Sequence, residues 1–429
     1  MTNRLRILFC DHLNLARGKY LFSNKPGDGV ARFCRSVYGV TYDKDLIPSP
    51  GSMMLEGLPD MEARYLESEI RECWEPDTNM VVADLYGTDG EPLPMCGRGA
   101  LKRAVNDWQA HGLNPQVGIE LEAYAFQVDD HGHIQPYDTP GAYVYSTGRM
   151  ADHLRFTDSI WECAEEMGFK LETFSSEFDS PQFEFTLVYD DALKAADDNF
   201  LFRLMAREVA HEHGVVLTFL PKPIATTGGS GIHVNFSFTN KDGNNVIANG
   251  DHGGPDHMND LSRGCVAGLM HHHKGMAGLL APTTNSYDRL QPASLSGYWR
   301  NWGGDHRGVT TRVSTEGGSK ARLEHRMADG GANIYTTIAT VLQAARLGVE
   351  NKYELPPMET GDCFESQDAV EGTAENLSAS LDALQQDTVL MDTVGRTLCE
   401  SHIFVKRDEI EKTSELEGDG LRDFYIYYI

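Results

Sequence analysis

Four short segments carry residues that bind cations and phosphates at every second position. GIELEAYAF sets Glu120 and Glu122 against Ile119 and Leu121, and PQFEFTLVY sets Gln182 and Glu184 against Phe183, Phe185 and Leu187. GSGIHVNFSF opposes His233, Asn235 and Ser237 to Ile232, Val234, Phe236 and Phe238. ARLEHRM opposes Arg322, Glu324 and Arg326 to Leu323, His325 and Met327. A period of two is that of a β-strand with one apolar and one polar face. One such segment alone reads as a solvated strand. Four of them, bearing Glu, His and Arg instead of the Lys, Thr and Ser of a wet surface, point to a site.

If these faces line one cavity, Glu120, Glu122, Glu177, Glu184 and Glu324 meet there with His233. Carboxylates a few ångströms apart do not all stay ionised unless cations lie between them. Oxygen ligands with one imidazole and no cysteine suit Mg²⁺ or Mn²⁺ better than Zn²⁺. Arg289, Arg307, Arg312, Arg322 and Arg326 follow in the chain. Guanidinium groups beside metal-binding carboxylates suit phosphates and substrate carboxylates. Together they indicate phosphoryl transfer, where catalysis is mostly positioning and charge neutralisation.

The chain that must position these groups has 429 residues, enough for two domains. We read an α+β fold with a small domain over 1–105 and a catalytic domain over 106–429. The first mixes strand-like runs (RLRILFC, MVVADLY) with Gly and Pro turns. It runs into a helical stretch, GRGALKRAVNDWQAHG, with a stop at Gly112. Later helices are predicted near 151–168, 190–213, 331–350 and 400–417, before an aromatic end, FYIYYI, too apolar to be a free tail. His271, His272 and His273 fall on a helix-like segment where successive side chains diverge, so a metal tract is not expected there. TTGGSGIH lacks the Lys and Ser/Thr of a Walker-type phosphate loop.

A net charge of −27 argues against nucleic acid and anionic membranes as partners and is expected to serve solubility. No apolar run approaches the roughly 20 residues that span a bilayer. The opening MTNRLRILFC reads as a first strand, not a signal peptide. Eight scattered cysteines without a CxxC pair are expected to be free thiols of a cytoplasmic protein.

Five motifs occur in an order that resembles the glutamine synthetase superfamily: GIELEAYAF, EFDSPQFE, KPIATTGGSGIHVNFS, NSYDRL and ARLEHRMADGGANIY. The likeness covers roughly residues 117 to 345. It implies an N-terminal β-grasp domain and a catalytic domain whose curved antiparallel sheet forms a funnel-shaped site. It also implies ATP, L-glutamate and an amine as substrates, and two or three Mg²⁺ or Mn²⁺ ions per site. By carry-over, Glu122, Glu177 and Glu184 hold one metal, and Glu120, His233 and Glu324 the other. Arg289 and Arg326 grip the glutamate carboxylates, and Arg307 and Arg312 face the developing phosphoryl charge. Ser237, Asn235, Lys320 and Arg322 lie on the nucleotide side. The implied assembly is a homo-oligomer of stacked rings, a dodecamer, with active sites between subunits and a C-terminal segment that clips subunits together.

Three departures bear on the amine. Leu295 stands where the family's G-Y-E-A-P flap has a glutamate that helps take a proton from ammonium. Pro50-Gly51-Ser52-Met53 replaces a D-G-S-S loop, and Asp179 stands where a small apolar residue is usual. Asn235 and Gly228 also depart, from His and Asn. Loss of both ammonium-binding carboxylates disfavours a bare cation and suits an alkyl group. The chain is most similar to the γ-glutamylmethylamide synthetases, which implies methylamine as acceptor, with Leu295 beside it and Asp179 binding or deprotonating it. Ammonia, and larger amines such as polyamines or ethanolamine, are the alternatives; a non-catalytic relative is disfavoured by the intact Glu, His and Arg set.

Overall fold

The computed structural model describes residues 4–22 and 27–429. Met1, Thr2 and Asn3 of the expected first strand lie outside the described residues. The N-terminal unit contains β1 (Arg4–Cys10), β2 (Ala16–Phe22), β3 (Gly29–Cys34), β4 (Asp60–Tyr65), β5 (Arg71–Glu72), β6 (Thr78–Val82) and β7 (Asp84–Gly87). One sheet has the order β2-β1-β6-β5, with β1 and β6 parallel, and a second has the order β3-β4-β7. Their inner residues, among them Ile7, Phe9, Met61, Ala63, Val81 and Leu85, form a separate small core. The predicted MVVADLY strand is split at Ala83 between the two sheets.

Helix α1 (Gly97–Ala110) runs through position 105 and ends ahead of Gly112, whose φ of 74° is left-handed. Next come β8 (Asn114–Val128), β9 (Ile134–Pro136), α2 (Phe156–Glu166), β10 (Leu171–Ser176) and β11 (Gln182–Asp191). They lead to α3 (Ala192–Glu212), β12 (Val215–Thr218), β13 (Ile232–Thr239), α4 (Asp260–His271), α5 (His273–Leu280) and α6 (Ser286–Arg289). Then follow β14 (Trp302–Gly304), β15 (Thr311–Val313), β16 (Leu323–His325) and α7 (Ile334–Asn351). The chain closes with α8 (Leu377–Gln386), α9 (Thr388–Val394), α10 (Arg396–Thr413) and α11 (Gly418–Tyr425). The large sheet runs β10-β11-β8-β13-β16-β15-β14, with β9 and β12 also on β8. It is antiparallel except for the β14–β15 pair.

The apolar faces read from the sequence form the core beneath this sheet: Ile119, Leu121, Phe183, Phe185, Ile232, Val234, Phe236 and Leu323 are all buried. Small and apolar residues let α7 be buried nearly all round. It crosses α4 through glycines; a Cβ on Gly268 would lie 2.8 Å from the Gly348 nitrogen. Helix α2 starts later than the sequence suggests. Asp152 accepts bonds from the Thr157 nitrogen at 2.8 Å, its hydroxyl at 2.6 Å and the Tyr137 hydroxyl at 2.8 Å, and Arg155 is left-handed (φ 58°), so the first turn forms only beyond it.

The histidine run is structural. His271 stacks on Tyr353 at 4.0 Å, His272 pairs with Asp387 at 2.7 Å, and His273 bonds the Tyr298 carbonyl at 3.1 Å. The aromatic end packs on its own subunit. Tyr425, Ile426 and Ile429 are fully buried, the Tyr425 hydroxyl donates to Glu409 at 2.6 Å, and the Ile429 carbonyl accepts from Thr218 at 2.8 Å. All eight cysteines are free. Among the described residues no helix is long and apolar enough to cross a membrane.

Burial holds His273 down to about 4 and His402, bonded to the Gly278 carbonyl, to about 3. Both are neutral in the fold, whereas the unfolded chain protonates them near 6.5. Folded stability is therefore complete above about pH 6.5 and is lost as pH falls towards 4 and 3. Thermal melting across pH 7.5 to 4 at fixed ionic strength should show a falling midpoint, with a shallower fall in His402→Gln. An unchanged slope in that variant would count against this origin.

Candidate active site

The register of the large sheet brings the polar faces together. Glu184 on β11 lies opposite Glu122 on β8, and His233 on β13 opposite Glu120 on β8. Glu324 on β16 lies opposite both Asn235 on β13 and Arg312 on β15. These faces line a cavity of about 1150 Å³. Glu120, Glu122, Glu177, Asp179, Glu184, His233, Asn235, Ser237, Arg289, Leu295, Arg307, Arg312, Lys320, Arg322 and Arg326 all reach its lining. Of the predicted metal, substrate and nucleotide residues, Glu324 alone lies behind it, buried at 4% exposure.

One end of the cavity is anionic. His233 Nδ1 is 2.9 Å from Glu120 Oε2, Asn235 Nδ2 donates to Glu120 Oε1 at 3.0 Å, and His233 Nε2 is 3.6 Å from Glu122. Glu120, Glu184 and His233 each offer a ligand atom within 4.8 Å of the others. This trio cuts across the division implied by resemblance, because Glu184 and His233 project from strands flanking β8 on either side. Burial pushes the Glu184 carboxyl up to about 8, against the pull of His233. Glu177 is raised by burial and by Glu122. Burial would also raise Glu120, but the bonds from His233 and Asn235 hold it at about 2. Burial and Arg326 press His233 down, and Glu120 and Glu122 more than reverse this. Four carboxylates thus share one imidazole. A divalent cation is the charge this donor set lacks, and hard oxygen ligands with one nitrogen fit Mg²⁺ or Mn²⁺.

The other end is cationic and braced. Glu324 receives Arg312 Nη1 on Oε2 at 3.0 Å and Arg326 on Oε1, and Arg312 also pairs with Asp305. Arg289 is buried and donates to the carbonyls of Met327 at 2.9 Å and Arg326 at 3.0 Å, so much of its guanidinium is engaged by backbone. The GGSG segment is its cradle: a Cβ on Gly229 would lie 2.6 Å from Arg289 Cγ, and one on Gly231 would meet Arg289 Nη2. Arg322 donates to Asn235 at 3.2 Å and pairs with Glu316, which also sits 3.6 Å from the exposed Lys320.

Two of the sequence departures prove to be one. Asp179 accepts the backbone N–H of Gly228, and a Cβ at 228 would lie 3.1 Å from the same oxygen. Leu295 lines the cavity on a loop held by a 2.5 Å bond between Ser294 and Ser296. Sequence reasoning missed Lys222, which bonds the Thr227 carbonyl at the cavity wall, although it opens the quoted KPIATTGGSGIH segment. It also missed three aromatic side chains on the lining: Tyr145, Phe178 and Tyr189, at 68%, 77% and 54% exposure. Phe178 sat within a motif read for its carboxylates.

The catalytic domain of glutamine synthetase matches residues 94–419. The chain belongs to the glutamine synthetase family. It is an ATP-dependent glutamate ligase. Type-1 glutamine synthetase 2 of Dictyostelium discoideum is 29% identical over 94% of this chain and 80% of its own length. The glutamate–isopropylamine ligase of a Pseudomonas species is 32% identical over 72% of this chain and 68% of its own. Ligand-free GmaS has a TM-score of 0.83 at 26% identity, covering 99% of this chain and 97% of that one.

The geometry makes the metal set testable in the family member itself. Glu184→Ala should weaken Mn²⁺ binding by at least about tenfold in isothermal titration calorimetry. Glu165→Gln, on the exposed side of α2, should leave it unchanged. Equal affinity of Glu184→Ala and wild type would remove Glu184 from the ligand set.

Proposed function

We propose that the enzyme joins methylamine, or a similarly small primary alkylamine, to the γ-carboxylate of L-glutamate through γ-glutamyl phosphate, releasing ADP and phosphate. The observation that carries this reading is Leu295, which lines the cavity at 43% exposure where the family's flap carries a glutamate. An isobutyl group offers contact to an alkyl substituent and withholds the charge-assisted bond that a bare ammonium needs. Two relatives support it: a glutamate–isopropylamine ligase, and GmaS, which we read as a γ-glutamylmethylamide synthetase.

In this reading Glu120, Glu122, Glu177, Glu184 and His233, joined by Glu324 once Arg326 turns from its Oε1 to the substrate, would hold two or three Mg²⁺ or Mn²⁺, which supply charge neutralisation to the phosphates. Ser237, Asn235, Arg322 and Lys320 take the nucleotide side. Arg289 and Arg326 take the glutamate carboxylates; the buried Nε of Arg326 has no partner among the described residues. A γ-carboxylate oxygen attacks the γ-phosphorus of ATP and ADP leaves, while Arg307 and Arg312 offset charge on the transferring group. The neutral amine nitrogen then attacks the acyl carbon, and phosphate leaves. Asp179 takes the proton of the alkylammonium, with Gly228 fixing its carboxylate.

Ammonia is the second reading, favoured by Glu177 and Asp179, two carboxylates that both reach the lining. A larger amine is favoured by Tyr145, Phe178 and Tyr189. Phosphate release with ATP, glutamate and a panel of methylamine, ammonium, ethanolamine and putrescine separates the three. Methylamine should give the highest kcat/KM, and Leu295→Glu should lower the methylamine-to-ammonium ratio by at least about tenfold. Asp179→Asn keeps an acceptor for Gly228, so it should depress amine transfer while leaving ATP and glutamate binding intact. A preference for ammonium in wild type, or equal losses in binding and transfer for Asp179→Asn, would sink the respective assignment.

The same reading includes a stacked-ring homo-oligomer, a dodecamer with active sites between subunits. Leu55 and Leu58, at 78% and 47% exposure on the N-terminal unit, are apolar surface that such a contact would cover. Sedimentation velocity should show one species of many subunits, and Leu55→Asp should shift it towards smaller ones. A monomeric wild type would exclude the ring.

A further inference from the structure

Resting on the assignment of Arg307 to phosphoryl charge, we propose that the loop of residues 359–369 is a latch that sets Arg307 in the cavity, with Glu359 and His306 as positioning residues. Arg307 is solvent-exposed on the short turn between β14 and β15, where a long side chain has many rotamers to choose from. The turn itself is pinned from outside the cavity. His306 Nε2 donates to the Gly361 carbonyl at 2.7 Å, and its Nδ1 accepts the Gly308 N–H at 3.0 Å. The imidazole thus ties the residues on either side of Arg307 to the loop. Gly308 presses against the loop so closely that a Cβ would lie 2.8 Å from Cys363 Cβ and 3.1 Å from the Asp362 carbonyl oxygen.

One buried carboxylate organises the loop. Glu359, 4% exposed, accepts N–H bonds from Gly361 at 3.0 Å, Asp368 at 2.7 Å and Ala369 at 3.2 Å. It also accepts from Asn301 Nδ2 at 3.0 Å, while Asn301 Oδ1 accepts the Thr310 N–H at 3.0 Å. The Glu359 nitrogen donates to the Trp302 carbonyl at 2.9 Å. Glu359 thus holds the start of segment 301–310 directly and its end through Asn301, and Gly361, whose carbonyl holds His306, is bonded to the same carboxylate. On the cavity side, Arg312 pairs with Asp305, the left-handed residue (φ 47°) that opens the turn. Arg307 is held between these two anchors, and neither Glu359 nor His306 reaches the cavity.

A double-mutant cycle on phosphate release, with glutamate and the best amine, compares wild type, His306→Ala, Arg307→Ala and the double variant. Each single variant should lose at least about tenfold in kcat with the glutamate KM within about twofold. His306→Ala should cost no more than about twofold further once Arg307 is gone. Full additivity would overturn the latch, as would a His306→Ala enzyme with wild-type kcat. His306→Gln, which keeps a donor and an acceptor, should regain part of the rate. Glu359→Gln replaces His306→Ala in the cycle if that variant fails to fold. Hydrogen exchange reads the latch without turnover: Glu359→Gln should speed exchange of the 303–310 amides and leave β8 unchanged, and unchanged exchange in 303–310 would overturn it. A wild-type enzyme inactive with every amine would instead count against the proposed reaction.

Discussion

Glu324 lies buried with a guanidinium on each carboxylate oxygen, Arg312 on one and Arg326 on the other. A buried carboxylate flanked this way is stable only while both partners stay in place, because removing either leaves an uncompensated charge. The pairing therefore binds β15 and the end of β16 into one rigid rim. It also joins the two halves of the cavity, since His233 of the anionic half stands 3.7 Å from the same carboxylate. Arg312 extends the chain of charges to Asp305 and so to the turn that carries Arg307. Phosphoryl transfer depends on charge held still before the reaction begins, and in the proposed reading this network is how the fold holds it.

The polar face keeps its shape because the opposite face is a dry core. Phe183 meets Phe156 edge-on, Phe185 tilts against Phe174 and meets Phe202 edge-on, and the glycine crossing of α4 and α7 allows a second helical layer behind. Close packing leaves the strands little freedom to slide, and a one-residue slip would turn every carboxylate into the core. The apolar half of each strand is thus as much part of the site as the ligands.

The proposed acceptor end is built differently, from loops. Asp179 leans on Gly228, Leu295 rides on a turn tied by Ser294 and Ser296, and Phe178 stands largely exposed on the lining. In the proposed reading a change of amine needs changes only here, while the carboxylates and arginines of the sheet and its rim serve every acceptor alike. On that reading the chain keeps the family's activation machinery and departs from it around the amine.

Alternation along four strands was enough to read which side chains share a face, since a strand's period is set by its own backbone. It served for Glu120, Glu122, Glu184, His233 and Asn235, and the composition of those faces indicated cations and phosphates. Helix ends were less legible, as at α2, where Asp152 bonds Tyr137 and Thr157 and delays the first turn. What the sequence by itself determined was the chemistry of each face and the family's order of motifs. Tertiary structure alone decided that Glu184 meets His233 across β8, that Glu324 withdraws behind the arginines, and that Asp179 and Gly228 form one contact. It alone decided that Arg289 is spent partly on carbonyls, and that a loop some fifty residues downstream pins the turn of Arg307. Most of these are contacts between residues far apart in the chain, set by strand order and packing, and no local pattern encodes such partners.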